Sequence, residues 1–431
     1  MGKTENSRDP GRTSRRQFLR TSAVSAAALA SAPYVHGGGN DTLRVGLIGC
    51  GGRGTGAATQ ALNADRNVRL VAMGDMFRDK LDSSLATLRR SEAIANKIDV
   101  PAERQFVGFD AYNGVLQSGV DVVLLCSPPG FRPLHMTTAV RSRKHIFAEK
   151  PIAVDAPGVR SVLAACEEAR RQRLSVVSGL CYRYSPAKRA TIARVHDGAI
   201  GDIVAIQTTY NTGTLWHHPP RRGWSDMEWQ IRNWLYFTWL SGDHIVEQFV
   251  HSLDKTAWAM RDQYPVRAYG TGGRQVRTQP EFGHIYDHHS VVYEYANGVK
   301  TFATTRQQAG CANDVSDFVM GTQGVAELMG HRITGRNAWT YPRARARAED
   351  MYQQEHNELF ASIRSGNPIN NGEYMCKSTL MGILGRMATY TGRVVTWEQA
   401  LNSRENLSPS RMEFGPLAVA EVAMPGVTII N

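Results

Sequence analysis

Glu247 and His251 stand four residues apart in the run Ser241-Gly-Asp-His-Ile-Val-Glu-Gln-Phe-Val-His-Ser-Leu-Asp254. On a helix that spacing puts both side chains on one face, where a carboxylate can orient an imidazole and the imidazole can move a proton near neutral pH. His244 lies on the same run and could take the same part. A Glu-x-x-x-His pair is also half of a metal site, but no His-Glu-x-x-His completes it. Cysteines 50, 126, 166, 181, 311 and 376 show no Cys-x-x-Cys spacing, and most sit in apolar stretches as small buried residues would.

A second constellation lies in Leu43 to Asp75. The apolar run Leu43, Val45, Leu47, Ile48 closes on Gly49-Cys50-Gly51-Gly52-Arg53-Gly54, after which Ala57, Ala58, Ala61 and Leu62 recur at helical spacing. Glycines at 49, 51, 52 and 54 let the backbone turn tightly and approach a pyrophosphate, whose charge meets the positive end of the following helix. The next apolar run, Val68 to Met73, ends in Gly74-Asp75, and an acid there can bond adenosine ribose hydroxyls. That favours NAD over NADP, with Arg78 close enough to accommodate a 2′-phosphate instead.

Strand-like and helix-like runs go on alternating after Asp75, which predicts an α/β doubly wound parallel sheet with ligands at its carboxyl ends. Asp121 to Cys126 ends in Ser127-Pro128-Pro129, followed by His135. His145 to Ala148 ends in Glu149-Lys150-Pro151. The glycine turn with Arg53, Asp75, the Ser127-Pro128 loop with His135, and Glu149-Lys150-Pro151 together resemble the Gfo/Idh/MocA oxidoreductase superfamily. The resemblance implies a Rossmann domain over 38–165 and a substrate-binding α+β domain over 166–431. In such proteins the Lys of the Glu-Lys-Pro motif lies beside the nicotinamide and touches the reacting oxygen, a part that would fall to Lys150. An ammonium there stabilises the negative charge that builds as hydride leaves. The Glu247/His251 pair is similar to that superfamily's Asp-x-x-x-His, with Glu in place of Asp and Phe249 where Gly is frequent.

The second half reads as a largely antiparallel open sheet: Ile203 to Tyr210, Val266 to Tyr269, Ser290 to Tyr295 and Lys300 to Arg306, with Asn297-Gly298 turning one hairpin and Phe318 to Leu328 forming another. A helix near 378–392 is expected to return to the first domain. By the same resemblance Arg183 and Tyr184 are substrate-binding candidates, although Arg183 could equally pair with a carboxylate. Residues 211 to 239 crowd Trp216, Trp224, Trp229, Trp234 and Trp239 with His217, His218 and three arginines. Trp216 and His244 are read as substrate contacts, since aromatic faces stack on sugar rings, though core or interface packing suits such a cluster too.

The formal charge is +11, of which residues 1–37 carry +4 and the rest +7. A mildly basic body suits an anionic dinucleotide, and Arg343-Ala-Arg345-Ala-Arg347 is too short to argue for nucleic acid. Arg15-Arg16 ahead of Ala23 to Ala32, ending Ala30-Ser31-Ala32, resembles a twin-arginine export signal over 1–37, which implies a periplasmic protein folded around its cofactor before export. No stretch approaches the roughly 18 apolar residues of a membrane span. The expectation is a sugar-type oxidoreductase with a tightly bound nicotinamide cofactor, acting on a carbohydrate and assembling as a homo-dimer or tetramer. A redox-neutral glycoside hydrolase on the same residues is the alternative enzyme, and a sugar- or nucleotide-sensing binding protein the non-catalytic one.

Overall fold

The computed structural model describes residues 41–430. The twin-arginine stretch lies outside them. Six strands build the first sheet: β1 Leu43–Ile48, β2 Val68–Asp75, β3 Gln105–Val107, β4 Val122–Leu125, β5 His145–Ala148 and β6 Val176–Ser178. Their order is β3-β2-β1-β4-β5-β6 and every pairing is parallel. β4 is buried at all four positions, which is why its sequence is continuously apolar rather than alternating. The chain leaves β1 toward β2 on one side and β4 lies on the other, so a crevice opens at their carboxyl ends. β6 carries this sheet to Ser178, beyond residue 165.

The second sheet has nine strands: β7 Ile203–Thr212, β8 Arg267–Gly273, β9 His288–Glu294, β10 Lys300–Gln307, β11 Asp314–Gly321, β12 Gly324–Glu327, β13 Arg332–Gly335, β14 Trp339–Thr340 and β15 Val395–Thr396. In the order β14-β13-β12-β11-β7-β10-β9-β8-β15 only β7 and β10 run parallel. The other pairings are antiparallel. Gly298, in the left-handed region at φ 84°, turns the β9–β10 hairpin as the Asn-Gly pair demands.

The helices that matter for the site are α1 Gly52–Ala64, α2 Arg78–Arg90, α3 Ala156–Arg171, α4 Asp226–Arg232, α5 His244–Glu247, α6 Val250–Ala259, α7 Met351–Ser365 and α8 Gly372–Thr391. α8 is buried along most of its length because it packs on β8 and β9 of the second sheet and against α3 and α6. Close approach requires Gly385, where a Cβ would stand 2.2 Å from the Tyr293 hydroxyl. The helix expected to run unbroken through Glu247 and His251 is instead two pieces. The amide of Phe249 donates to the His244 carbonyl five residues back, and that of His251 to Gln248 three back, so the regular ladder fails between α5 and α6.

Candidate active site

The glycine turn forms as its spacing predicts. Gly49 sits at φ 96° and a Cβ there would meet the Ser127 amide nitrogen at 2.4 Å. Gly54 lets α1 press on the turn, since a Cβ would lie 1.9 Å from the Gly49 oxygen. Gly51 and Gly52 are exposed, nothing lies within 4 Å of a Cβ built on either, and no side chain caps α1. That leaves an open cradle at a helix N-terminus, the shape and polarity a pyrophosphate requires. Asp75 accepts the Cys50 amide at 2.6 Å and the Phe77 amide at 2.9 Å, one on each oxygen, so the carboxylate is aimed with lone pairs to spare for ribose hydroxyls. Burial raises its pKa, and the two amides oppose the rise. Arg78 turns elsewhere, to Gln105 and Asp82.

These residues wall a cavity of about 560 Å³ that also takes in Ser127, Pro128 and His135. Ser127 Oγ and His135 Nδ1 are 3.0 Å apart, and the imidazole stacks on Tyr112 at 4.5 Å. Burial, helped by Arg132, depresses His135 to about 3 and keeps it neutral. Arg53 lines the same cavity, but its guanidinium pairs with Glu149 and lies 3.6 Å from buried Glu355, which ties the glycine turn to the end of β5. The sequence reading passed over Arg132. Its buried guanidinium donates to the carbonyls of Ser127 and Pro151 and braces the loops after β4 and β5. Its only local signal is the Pro-rich run around it.

Lys150, Glu247 and His251 come together beyond Glu149, outside the wall of that cavity. Lys150 Nζ donates to Glu247 Oε1 and to the Glu247 carbonyl, each at 2.8 Å. The third ammonium proton has no acceptor among the described residues. Burial alone would lower this lysine's pKa, but Glu247 outweighs it and the result is raised, so the side chain stays charged. His251 is held well below its usual pKa by burial first, then by the charges of Lys150 and Lys255. It is neutral. Its Nδ1 is sealed without a partner, Tyr182 meets the ring edge-on at 5.1 Å, and no hydrogen bond engages Nε2 among the described residues. Glu247 is therefore bonded to the lysine; the pairing expected from spacing, Glu247 orienting His251, is replaced by Glu247 orienting Lys150.

The four substrate candidates fare differently. Arg183 lies in a buried ion pair, its Nε 3.0 Å and Nη2 2.9 Å from Asp254, with Asp262 at 2.6 Å. Tyr184 is core, its hydroxyl donating to Asn371 at 2.7 Å. His244 is buried beside Asp243, with Nδ1 2.9 Å from Oδ1, and burial lowers its pKa to about 4. None of these three lines the cavity. Trp216 does, on a wall it shares with Asp75 and Lys80 and not with Lys150. His218, Ile231, Arg232 and Trp234 line the same cavity; of these only Ile231 stood outside the aromatic and basic cluster read from residues 211–239.

Asp243 organises the region behind Glu247. It is held at φ 75° and caps α5, and its Oδ2 accepts the Tyr390 hydroxyl at 2.6 Å and the Tyr286 amide at 3.0 Å. His289 Nε2 lies 3.4 Å from Oδ1. Burial would raise this carboxyl, but the two imidazoles outweigh it and hold the pKa well below the ordinary range. The carboxylate thereby joins α5, β9 and α8.

A family model for the oxidoreductase family with an NAD-binding Rossmann fold (GFO_IDH_MocA) matches residues 43–178, and one for the GFO/IDH/MocA C-terminal domain matches 189–327. The inositol 2-dehydrogenase of Pseudomonas savastanoi pv. phaseolicola is 25% identical over 286 residues, 66% of this chain and 74% of that one. That of Rhizobium meliloti is 23% identical over 337 residues, covering 76% and 91%. Among solved structures, scyllo-inositol dehydrogenase from Lactobacillus casei with bound NAD(H) and scyllo-inositol superposes with TM-score 0.62 at 17% identity, covering 83% of this chain and all of that one. Myo-inositol 2-dehydrogenase from Lactobacillus plantarum gives TM-score 0.63 at 17%, covering 83% and 99%.

Proposed function

Because the chain belongs to the Gfo/Idh/MocA oxidoreductase family, we propose that it transfers hydride between a tightly held NAD and a hydroxyl-bearing carbon of a polyol or sugar: an inositol, a free sugar or a glycoside. The observation that carries this reading is the unspent proton on Lys150 beside a neutral, unpartnered His251. When bound, the nicotinamide supplies the hydride acceptor. The residues to hold it are Gly51 and Gly52 at the pyrophosphate, Asp75 at the adenosine ribose, and the Ser127-Pro128 loop with His135 along the cavity.

As a C–H bond gives up hydride, the hydroxyl on the same carbon must lose its proton. His251 is the base, taking that proton at Nε2, the nitrogen left unsealed. The Lys150 ammonium donates its third hydrogen bond to the oxygen and stabilises the charge that gathers there. Glu247 keeps the ammonium charged and aimed. In the reverse direction the same groups return the proton to a ketone. Glu in place of the superfamily's Asp adds one methylene, and here the carboxylate meets Lys150 while its own carbonyl is bonded by the same nitrogen.

Nicotinamide absorbance followed while inositols, sugars and glycosides are added with excess NAD tests this directly. Sustained NADH formation over many equivalents is the expected result and identifies the substrate class. A burst of at most one equivalent with product still accumulating supports instead the redox-neutral glycoside hydrolase. Lys150→Ala and His251→Ala that leave the chain's function untouched support a binding protein. Export by the twin-arginine route and assembly through the outer face of the second sheet, where Val204 and Phe302 are exposed, belong to the same proposal. Cell fractionation and sedimentation velocity test them; a cytoplasmic or purely monomeric protein removes each in turn.

A further inference from the structure

Residues 213–224 form neither helix nor strand, yet they are anchored by hydrogen bonds and bring Trp216 and His218 to the cavity wall. The Tyr236 hydroxyl donates to the Leu215 carbonyl at 3.0 Å, the Trp229 indole to the His218 carbonyl at 2.8 Å, and the His218 amide to Asn233 at 2.8 Å. So anchored, Trp216 stays 47% exposed, meets Trp234 at 6.1 Å and His218 at 5.4 Å, and forms part of the cavity wall with Asp75, Phe77 and Lys80. A large indole left this open on a rigid support has unspent stacking surface.

Arg232 latches the segment to the parallel-sheet side. Its Nη atoms bond Asp79 at 3.1 and 3.2 Å, at the start of α2, and its Nε bonds Glu228 at 2.8 Å. The guanidinium lies 3.7 Å over the Phe77 ring, two residues beyond Asp75. The chain's last segment adds a second layer: Phe414 stacks on Phe77 at 6.0 Å and meets Phe109 at 5.1 Å, while Leu417 and Gly415 bond α4 through Asp226, Gln230 and Met227.

We propose that Trp216, Trp234 and the Arg232–Asp79 latch form an aromatic clamp over the adenosine half of the bound dinucleotide, slowing its release. This rests on the nicotinamide reading above and adds to it a structural reason for retention. Asp75 marks the adenosine end, and an adenine ring is a stacking partner of the size and flatness that an indole wall suits. The clamp's rings and Arg232 follow Gly213, whereas Asp79 and the glycine cradle belong to the parallel-sheet side, so the latch joins the two sides of the site.

The full chain, loaded with NADH and freed of excess by gel filtration, is assayed for nucleotide per protomer by acid release. Dissociation is then timed by the loss of bound-nicotinamide fluorescence on chasing with excess NAD. About one equivalent retained by the wild type is expected. Trp216→Ala should speed dissociation about 10- to 100-fold, as loss of one base–aromatic stack does, and Asp79→Asn, which removes no ring, about threefold. Melting temperatures establish that both variants are folded. Dissociation from Trp216→Ala within twofold of the wild type overturns the clamp while leaving the cofactor reading intact; a wild type that binds NADH but loses it on the column overturns the clamp and the tight hold, leaving nicotinamide chemistry in place. A wild type that binds neither NADH nor NADPH overturns both.

Discussion

Two cation–carboxylate pairs stand at neighbouring ends of the parallel sheet, each joining it to the α5–α6 run. Lys150 follows β5 and meets Glu247; Arg183 follows β6 and meets Asp254. Arg183 is spent: it gives donors to both Asp254 oxygens and to Asp262, and its guanidinium is pressed between Tyr374 at 4.0 Å and Trp258 at 5.4 Å. Asp254 accepts the Ser378 hydroxyl at 2.8 Å as well. Lys150 keeps a proton in reserve, and its side chain is 17% exposed. What separates the structural pair from the one proposed as reactive is unused hydrogen-bonding capacity and access, with residue type secondary.

Breaking the spent pair should have the largest effect. Arg183→Met leaves Asp254 buried and unpaired, so unfolding in urea should show a loss of about 3–5 kcal/mol. A loss under 1 kcal/mol would mean that Arg183 is not the anchor described here. Lys150→Ala should do the opposite: kcat falls roughly 10²- to 10³-fold, as on removing one donor to a developing oxyanion, while the melting temperature and nucleotide retention change little. Lys150→Arg should not restore activity, because a planar fork cannot reproduce the ammonium's three-way geometry.

Glu247→Gln keeps the shape of the reactive pair but removes the charge that aims Lys150, and kcat should drop by about tenfold, the order of one charge-assisted bond. The pH profile sharpens the contrast. His251 must be neutral to take a proton, and burial with the Lys150 charge holds its pKa well below 6.5. A base with a depressed pKa stays deprotonated as pH falls through its ordinary value. The acid limb of kcat/KM should therefore lie well below pH 6.5, and Glu247→Gln should move it less than Lys150→Met, which raises it by removing the nearest depressing charge. An acid limb at or above pH 6.5 in the wild type contradicts the assignment of His251.

The cofactor side was readable because its signals are contiguous. A strand, glycines at fixed offsets, a helix and an acid after the next strand all fall within 33 residues, Leu43 to Asp75, and nothing distant alters what those glycines must do. The place of Lys150 directly after a parallel strand was readable for a similar reason, since the apolar run that makes β5 adjoins it. Arg183 could not be assigned because its partner lies 71 residues away, and an Arg after a strand looks the same facing a sugar or an aspartate. Trp216 was placed among substrate contacts on composition alone; only the fold sets it on a cavity wall shared with Asp75. The parallel β7–β10 pair was equally invisible, because alternating burial is common to both strand directions.

What the chain's own order of residues determined is whatever depends on neighbours a few positions away: which runs extend, where glycine must turn, which strand ends carry an acid or a lysine. Tertiary structure decided which of the polar groups are used up. Lys150 and Arg183 have the same charge and similar addresses, yet one is satisfied by α6 and the other only partly by α5. The break in the hydrogen-bond ladder at Phe249 separates those two helices and sets their carboxylates apart. Desolvation and the distances between groups far apart in sequence make that choice, and both exist only once the two sheets and α8 have packed.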